Sequence, residues 1–152
     1  MTPQTPPKRI AILGSTGSIG TQALQVIAAH PDHFQVEVLT AQHNADLLIQ
    51  QSLAFRPNVV VIGNEELYDK VFAALDPAGV KVYTGPKALC SVVEMDTVDL
   101  VLTALVGYAG LQPTLRALAA RKPIALANKE TLVVAGELVT RLAREKGVNI
   151  YP

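Results

Sequence analysis

Lys8-Arg9-Ile10-Ala11-Ile12-Leu13-Gly14-Ser15-Thr16-Gly17-Ser18-Ile19-Gly20 is the stretch on which the fold turns. The apolar run Ile10 to Leu13 breaks into a loop of small residues. That loop runs straight into a helical pattern with Ile19, Ala23, Leu24 and Ile27 on one face. The spacing predicts a first strand, a tight turn and the amino end of a helix. The first backbone N–H groups of such a helix have no partner inside it, and its dipole favours an anion there. Gly14 permits the turn, Gly17 lets a pyrophosphate approach the backbone, and Gly20 lets the helix lie close on the strand. The hydroxyls of Ser15, Thr16 and Ser18 can add donors to a phosphate, or one of them can cap the helix.

Outward from this stretch the chain alternates. Residues 1–8, Met1 to Lys8, read as a disordered, proline-rich tail and 9–152 as one nucleotide-binding domain. Gln35 to Thr40 reads as a second strand, and Asp46 to Phe55 as a helix with Leu47, Leu48 and Leu53 inward. Asn58 to Ile62 is a wholly apolar third strand after its first residue, followed by a helix from Glu65 to Leu75. Val80 to Tyr83, Val98 to Leu102, Ile124 to Leu126 and Val148 to Tyr151 read as further strands. Helices are expected over Pro86 to Met95, Pro113 to Arg121 and Thr131 to Lys146, the last closed by Gly147. Apolar strands alternating with amphipathic helices imply an α/β fold of Rossmann type: a doubly wound, mostly parallel sheet with helices on both faces.

Composition narrows the function. The 152 residues are 49% hydrophobic and 17% charged, enough to bury a substantial core. Lys plus Arg and Asp plus Glu both number 13, so nucleic acid and anionic membrane surfaces are not expected partners. No apolar run reaches the length of a membrane span, and the first residues hold three prolines instead of the apolar core of a signal peptide. A cytoplasmic protein is expected. The single cysteine, Cys90, has no disulfide or metal-ligand companion and reads as a buried small hydrophobe. No metal site is expected in this chain. His30 and His33 flank Asp32, but at the far end of the first helix from the phosphate turn.

The end of the second strand bears on which nucleotide is bound. A carboxylate there would bond the adenosine ribose of NAD. The chain instead reads Thr40-Ala41-Gln42-His43-Asn44, a polar and partly basic loop that suits the 2′-phosphate of NADP. His43 and Asn44 are candidate donors; Asn44 can alternatively cap the next helix. A second informative stretch is Ala127-Asn128-Lys129-Glu130, where the sixth strand gives way to a helix at the carboxyl edge of the sheet. Ligands bind at that edge in open α/β sheets. Lys129 can hold a phosphate or polarise a carbonyl; Glu130 can bond a ribose or nicotinamide group, or act as a first-turn acid on the helix dipole.

Three segments, Gly14 to Gly20, Ala104 to Thr114 and Leu126 to Val133, together resemble the 1-deoxy-D-xylulose 5-phosphate reductoisomerase family. The likeness runs in the right order from about Arg9 to Pro152. It implies an NADPH-dependent oxidoreductase of the non-mevalonate isoprenoid route. That enzyme rearranges 1-deoxy-D-xylulose 5-phosphate and reduces the product to 2-C-methyl-D-erythritol 4-phosphate. By resemblance, Thr16, Gly17, Ser18 and Ile19 contact the cofactor, and Gln42, His43 and Asn44 hold its 2′-phosphate. Asn128 and Glu130 would contact NADPH, and Lys129 the phosphorylated sugar substrate.

Two departures from the family pattern matter. Gln42 and His43 stand where the family commonly has a glycine and a basic residue, which makes cofactor affinity pH-sensitive if His43 carries the role. An Asp and a Glu that bind magnesium or manganese would follow the segment matching Ile150-Tyr151-Pro152. The resemblance therefore implies a chain truncated before the metal- and substrate-binding domain, with no complete catalytic set and no turnover alone. The full-length enzyme is expected to be a homodimer. Two other classes fit part of the pattern: a semialdehyde-dehydrogenase-type NADP enzyme, which needs a catalytic cysteine in a second domain and for which Cys90 has the wrong neighbourhood, and a non-catalytic nucleotide-sensing module.

Overall fold

The computed structural model describes residues 5–105, 107–127 and 129–151, with backbone only at 107–108 and 129–134. Seven strands form one sheet: β1 (Lys8–Leu13), β2 (Phe34–Ala41), β3 (Val59–Ile62), β4 (Lys81–Thr84), β5 (Leu100–Thr103), β6 (Ile124–Leu126) and β7 (Ile150–Tyr151). Six helices connect them: α1 (Ser18–Ala29), α2 (Ala45–Phe55), α3 (Tyr68–Leu75), α4 (Pro86–Val92), α5 (Leu111–Ala119) and α6 (Lys129–Lys146). The strand order is β4-β3-β2-β1-β5-β6-β7, and every pairing is parallel. The chain winds outward from β1 to β4, then crosses back to place β5 on the other side of β1. That reversal opens a crevice beyond the carboxyl ends of β1 and β5.

Both faces of the sheet are covered, which is why its strands read as unbroken apolar runs. Ile10 and Ile12 of β1 face a core built with Leu24 and Ile27 of α1, Leu48 of α2, and Val71 and Leu75 of α3. Ala11 and Leu13 face the opposite core, with Val92 of α4, Leu118 of α5, and Val139 and Ala143 of α6. The doubly wound architecture expected from the alternation is the one observed.

Several elements differ in detail. β1 begins at Lys8, inside the stretch read as a tail, because Lys8 pairs with Phe34 of β2; residues 1–4 of that tail lie outside the described residues. In α2 the inward positions are Ala45, Leu48, Gln51 and Ser52, while Leu53 is 44% exposed. Leu53 follows Leu48 by five residues, so it sits roughly 140° round the helix from the buried face. Ile19 is likewise 44% exposed, and Gly20, Leu24 and Ile27 make the buried stripe of α1. Cys90 is half-buried, not buried, because α4 ends at Val92 and lies at the margin of its core. α6 departs from helical geometry at Ala135 (φ −134°, ψ 28°), beside Gly136, so the expected single helix is broken there. Gly147 closes it at φ 66°, in the left-handed conformation that favours glycine.

Candidate functional site

The turn between β1 and α1 is built by three glycines with three different constraints. Gly14 has φ 84°, and a Cβ there would stand 3.0 Å from the Ala104 carbonyl oxygen. A Cβ on Gly20 would fall on the Gly14 carbonyl oxygen and 2.6 Å from Ser15 Cα, so α1 packs on the turn only because that atom is missing. Gly17 is different. Its backbone (φ −76°, ψ 175°) suits any residue, and a Cβ would meet only the Gly14 oxygen at 3.8 Å. Nothing inside the described protein demands glycine at 17; the free space lies outside, at the amino end of α1.

That helix end is open. Gly17 is its N-cap, and no side chain accepts from the first-turn N–H groups. The alternative in which a hydroxyl caps the helix is therefore not realised. Gly17, Ser18 and Ile19 are exposed and Thr16 half-buried, all at one spot. Ser15 does not join them. Its side chain is fully buried, and its Oγ donates to Gln51 Oε1 at 2.8 Å, which corrects its reading as a phosphate donor.

At the tip of β2 no carboxylate is present. Gln42, His43 and Asn44 are all exposed, held by backbone bonds from Asn64 N–H to Gln42 O (2.9 Å) and from Ala45 N–H to His43 O (2.9 Å). Asn44 caps α2: its Oδ1 accepts from Leu47 N–H at 3.2 Å. Its amide nitrogen is unaffected by that bond, so capping and ligand contact are compatible. Between this loop and the switch point lies a cavity of about 280 Å³. Thr40, Ala41, Gln42, Gly63, Leu89 and Leu105 are among its lining residues, and its walls are mainly apolar. Gly63, directly after β3, was not singled out from sequence; Leu105 and Ala109 fall in the segment Ala104 to Thr114 that carries the resemblance but were given no site role.

Lys129 and Glu130 open α6 directly beyond β6, at the same carboxyl edge as the phosphate turn. Asn128 lies outside the described residues, so its reading stands apart from the geometry. Backbone bonds lace this edge together: Ala104 N–H donates to Leu13 O (2.9 Å) and Ala127 N–H to Thr103 O (3.0 Å). The Thr103 hydroxyl beneath is buried, with no hydrogen-bond partner among the described residues.

Cys90 follows Leu89 on α4 but is not among the residues lining the cavity. Burial pushes its thiol up, Arg116 pulls it back and Glu94 pushes it further up. A thiol held protonated is a poor nucleophile. Among the described residues, no group of three or more His, Cys, Asp or Glu could hold a metal ion. His30, Asp32 and His33 line a separate cleft at the amino edge with Thr5, Lys8 and Phe34. No helix of the described residues is long and apolar enough to cross a membrane.

The family model of 1-deoxy-D-xylulose 5-phosphate reductoisomerase matches residues 10–136. The chain belongs to this family. Over 145 residues it is 60% identical to the 1-deoxy-D-xylulose 5-phosphate reductoisomerase of Bacteroides fragilis, covering 95% of this chain and 37% of that protein. The solved reductoisomerase of Zymomonas mobilis, in complex with NADPH, superposes with a TM-score of 0.91 at 37% identity, over 96% of this chain and 38% of that one. A DOX-P reductoisomerase in complex with NADPH, fosmidomycin and magnesium gives 0.89 at 36% identity, over 94% and 35%. The chain thus spans 37% of the length of the curated reductoisomerase it matches.

Proposed function

We propose that this chain is the NADPH-binding part of an enzyme converting 1-deoxy-D-xylulose 5-phosphate to 2-C-methyl-D-erythritol 4-phosphate. The observation that carries the reading is Gly17: an N-cap glycine whose missing Cβ no protein atom requires, at the open end of α1. A pyrophosphate there would accept from the N–H groups of the first turn, with the Thr16 and Ser18 hydroxyls beside it. The adenine would enter the apolar cavity beside Leu89 and Leu105, placing its 2′-phosphate against Gln42, His43 and Asn44. The nicotinamide would lie toward β6 and α6; by family resemblance Asn128 and Glu130 would contact NADPH, and Lys129 one edge of the phosphorylated sugar. Bound NADPH supplies the hydride. The described chain fixes the position from which it is delivered, and misplacement of about an ångström can cost on the order of a hundredfold in rate.

Relatives with magnesium and NADPH support a divalent metal in the whole reaction. The described residues offer no cluster of three or more His, Cys, Asp or Glu to hold one. The whole protein is proposed to work in the cytoplasm as a homodimer. The semialdehyde-dehydrogenase reading gives way to the reductoisomerase family match over residues 10–136. Calorimetric titration of the purified chain with NADPH and NADH tests the proposal. Tighter binding of NADPH is expected, and equal affinity would remove the assignment of Gln42, His43 and Asn44. With 1-deoxy-D-xylulose 5-phosphate and magnesium added, the 152 residues alone are expected to oxidise no NADPH; metal-dependent oxidation would overturn the assignment to a cofactor-binding part.

A further inference from the structure

Gln51 is a long polar side chain, 7% exposed, in the middle of the buried face of α2. Burying an amide is costly unless each of its groups finds a partner. Both do, and both partners belong to one residue of the phosphate turn. Ser15 Oγ donates to Gln51 Oε1 at 2.8 Å, and Gln51 Nε2 donates to the Ser15 carbonyl oxygen at 3.0 Å. The same turn is tied to β2 as well: Gly14 N–H donates to Thr40 Oγ1 (3.0 Å) and Ser15 N–H to Thr40 O (2.8 Å). Ser15 and Thr40 are themselves fully or almost fully buried. Half-buried Thr16 and exposed Gly17 and Ser18 follow immediately, and among the described residues none of their side chains makes a tertiary hydrogen bond.

We propose that Gln51 is a positioning residue for the dinucleotide pyrophosphate: it clamps Ser15 so that the N–H groups from Gly17 onward are held ready for the anion. This rests on the cofactor reading above and adds a function for α2 within it. The helix whose first turn is capped by Asn44, in the proposed 2′-phosphate loop, grips the pyrophosphate turn two turns later through Gln51. One rigid element then sets the spacing between the two anion sites. A preformed turn costs less to order on binding than a loose one.

The test compares Gln51→Met, which keeps length and loses both bonds, with Ser52→Ala. Ser52 is a buried neighbour whose hydroxyl bonds only within α2, to Leu48 O. Each is titrated with NADPH and with 2′-AMP, which carries the 2′-phosphate but no pyrophosphate. Gln51→Met is expected to bind NADPH about tenfold more weakly with 2′-AMP affinity unchanged, and Ser52→Ala to bind both as the wild type does. In Gln51→Glu the protonated carboxyl can both donate and accept, so NADP⁺ affinity should recover toward wild type as pH is lowered, unlike in Gln51→Met. Unchanged NADPH affinity in Gln51→Met overturns the proposal, as does a parallel loss of 2′-AMP affinity, which would mean general softening. If the wild-type chain binds no NADPH, the cofactor reading falls, and amide hydrogen exchange of the ligand-free protein decides the clamp by itself. Faster exchange of the Gly14 and Ser15 N–H groups, which Thr40 holds, in Gln51→Met supports it, and unchanged exchange there refutes it.

Discussion

At the amino edge of the sheet, charged side chains satisfy one another. Arg9 on β1 and Asp99 at the foot of β5 are joined by Nε to Oδ2 at 3.1 Å and Nη2 to Oδ1 at 3.2 Å. The Arg9 backbone N–H donates to the same Oδ2 at 2.8 Å. At the carboxyl edge the polar side chains turn inward, Ser15 to Gln51 and Thr40 to the Gly14 N–H, while the backbone at Gly17 is left facing solvent. One edge is closed by side chains and serves the fold. The other is closed beneath by side chains and kept open above, and the open groups are the ones an anion needs. Loss of an amino-edge group should therefore cost stability alone, whereas loss at the carboxyl edge should cost binding first.

The largest effect is expected from Gly20→Ala, which drives a Cβ into the Gly14–Ser15 backbone. It should lower stability by about 3 kcal/mol in a denaturant titration and abolish NADPH binding with it. A near-native midpoint would mean that α1 is free to shift on β1. Gly17→Val should separate the two properties. Its side chain has room in the unliganded protein, so the thermal midpoint should hold while NADPH affinity falls at least a hundredfold, about 2.7 kcal/mol. Wild-type affinity in that variant would leave the glycine as a turn residue and nothing more. His43→Ala should act only on the 2′-phosphate, reducing the preference for NADPH over NADH about fivefold. A proportional loss for both nucleotides would place His43 elsewhere on the ligand.

The smallest effect lies at the amino edge. Hydrogen bonding from Arg9 holds the Asp99 carboxyl below its ordinary value of 3.8, against the opposing push of burial. A depressed carboxylate contributes stability that is present above its unfolded value and is lost as pH falls through the folded one. Asp99→Asn should thus lower the melting temperature by about 1 to 3 °C at pH 7, and the gap to wild type should close as the solution is acidified through pH 4 and below. NADPH affinity should not change. A binding defect in Asp99→Asn would dissolve the contrast between the edges.

The order of strands and helices and the place of the phosphate turn were legible because each leaves a local mark: Ile10 to Leu13, then glycines at 14, 17 and 20, then helical spacing. Ser15 and Gln51 were not legible. They stand 36 positions apart, and a buried glutamine makes sense only beside the partner that the fold brings to it. The same holds for Leu53, whose apolar character suggested an inward face that helical phase assigns to Ser52 instead. From sequence Gly17 was given to ligand approach and Gly20 to close packing; the structure bears out the second, and a Cβ on Gly17 would meet only the Gly14 oxygen, at 3.8 Å.

The strand order has a consequence for how the molecule assembles. β1 pairs with β2 across a short stretch of chain, yet its other side waits for β5, with Ile10 meeting Leu100 and Arg9 meeting Asp99. Loop-closure entropy and contact order place that second seam late, after the β1–β4 half has begun to condense. During synthesis, one flank of the central strand therefore stays unpaired until Leu100 leaves the ribosome. In stopped-flow measurements, Asp99→Asn should then quicken unfolding and leave the refolding rate nearly untouched, whereas slowed refolding would put the β1–β5 seam in the nucleus.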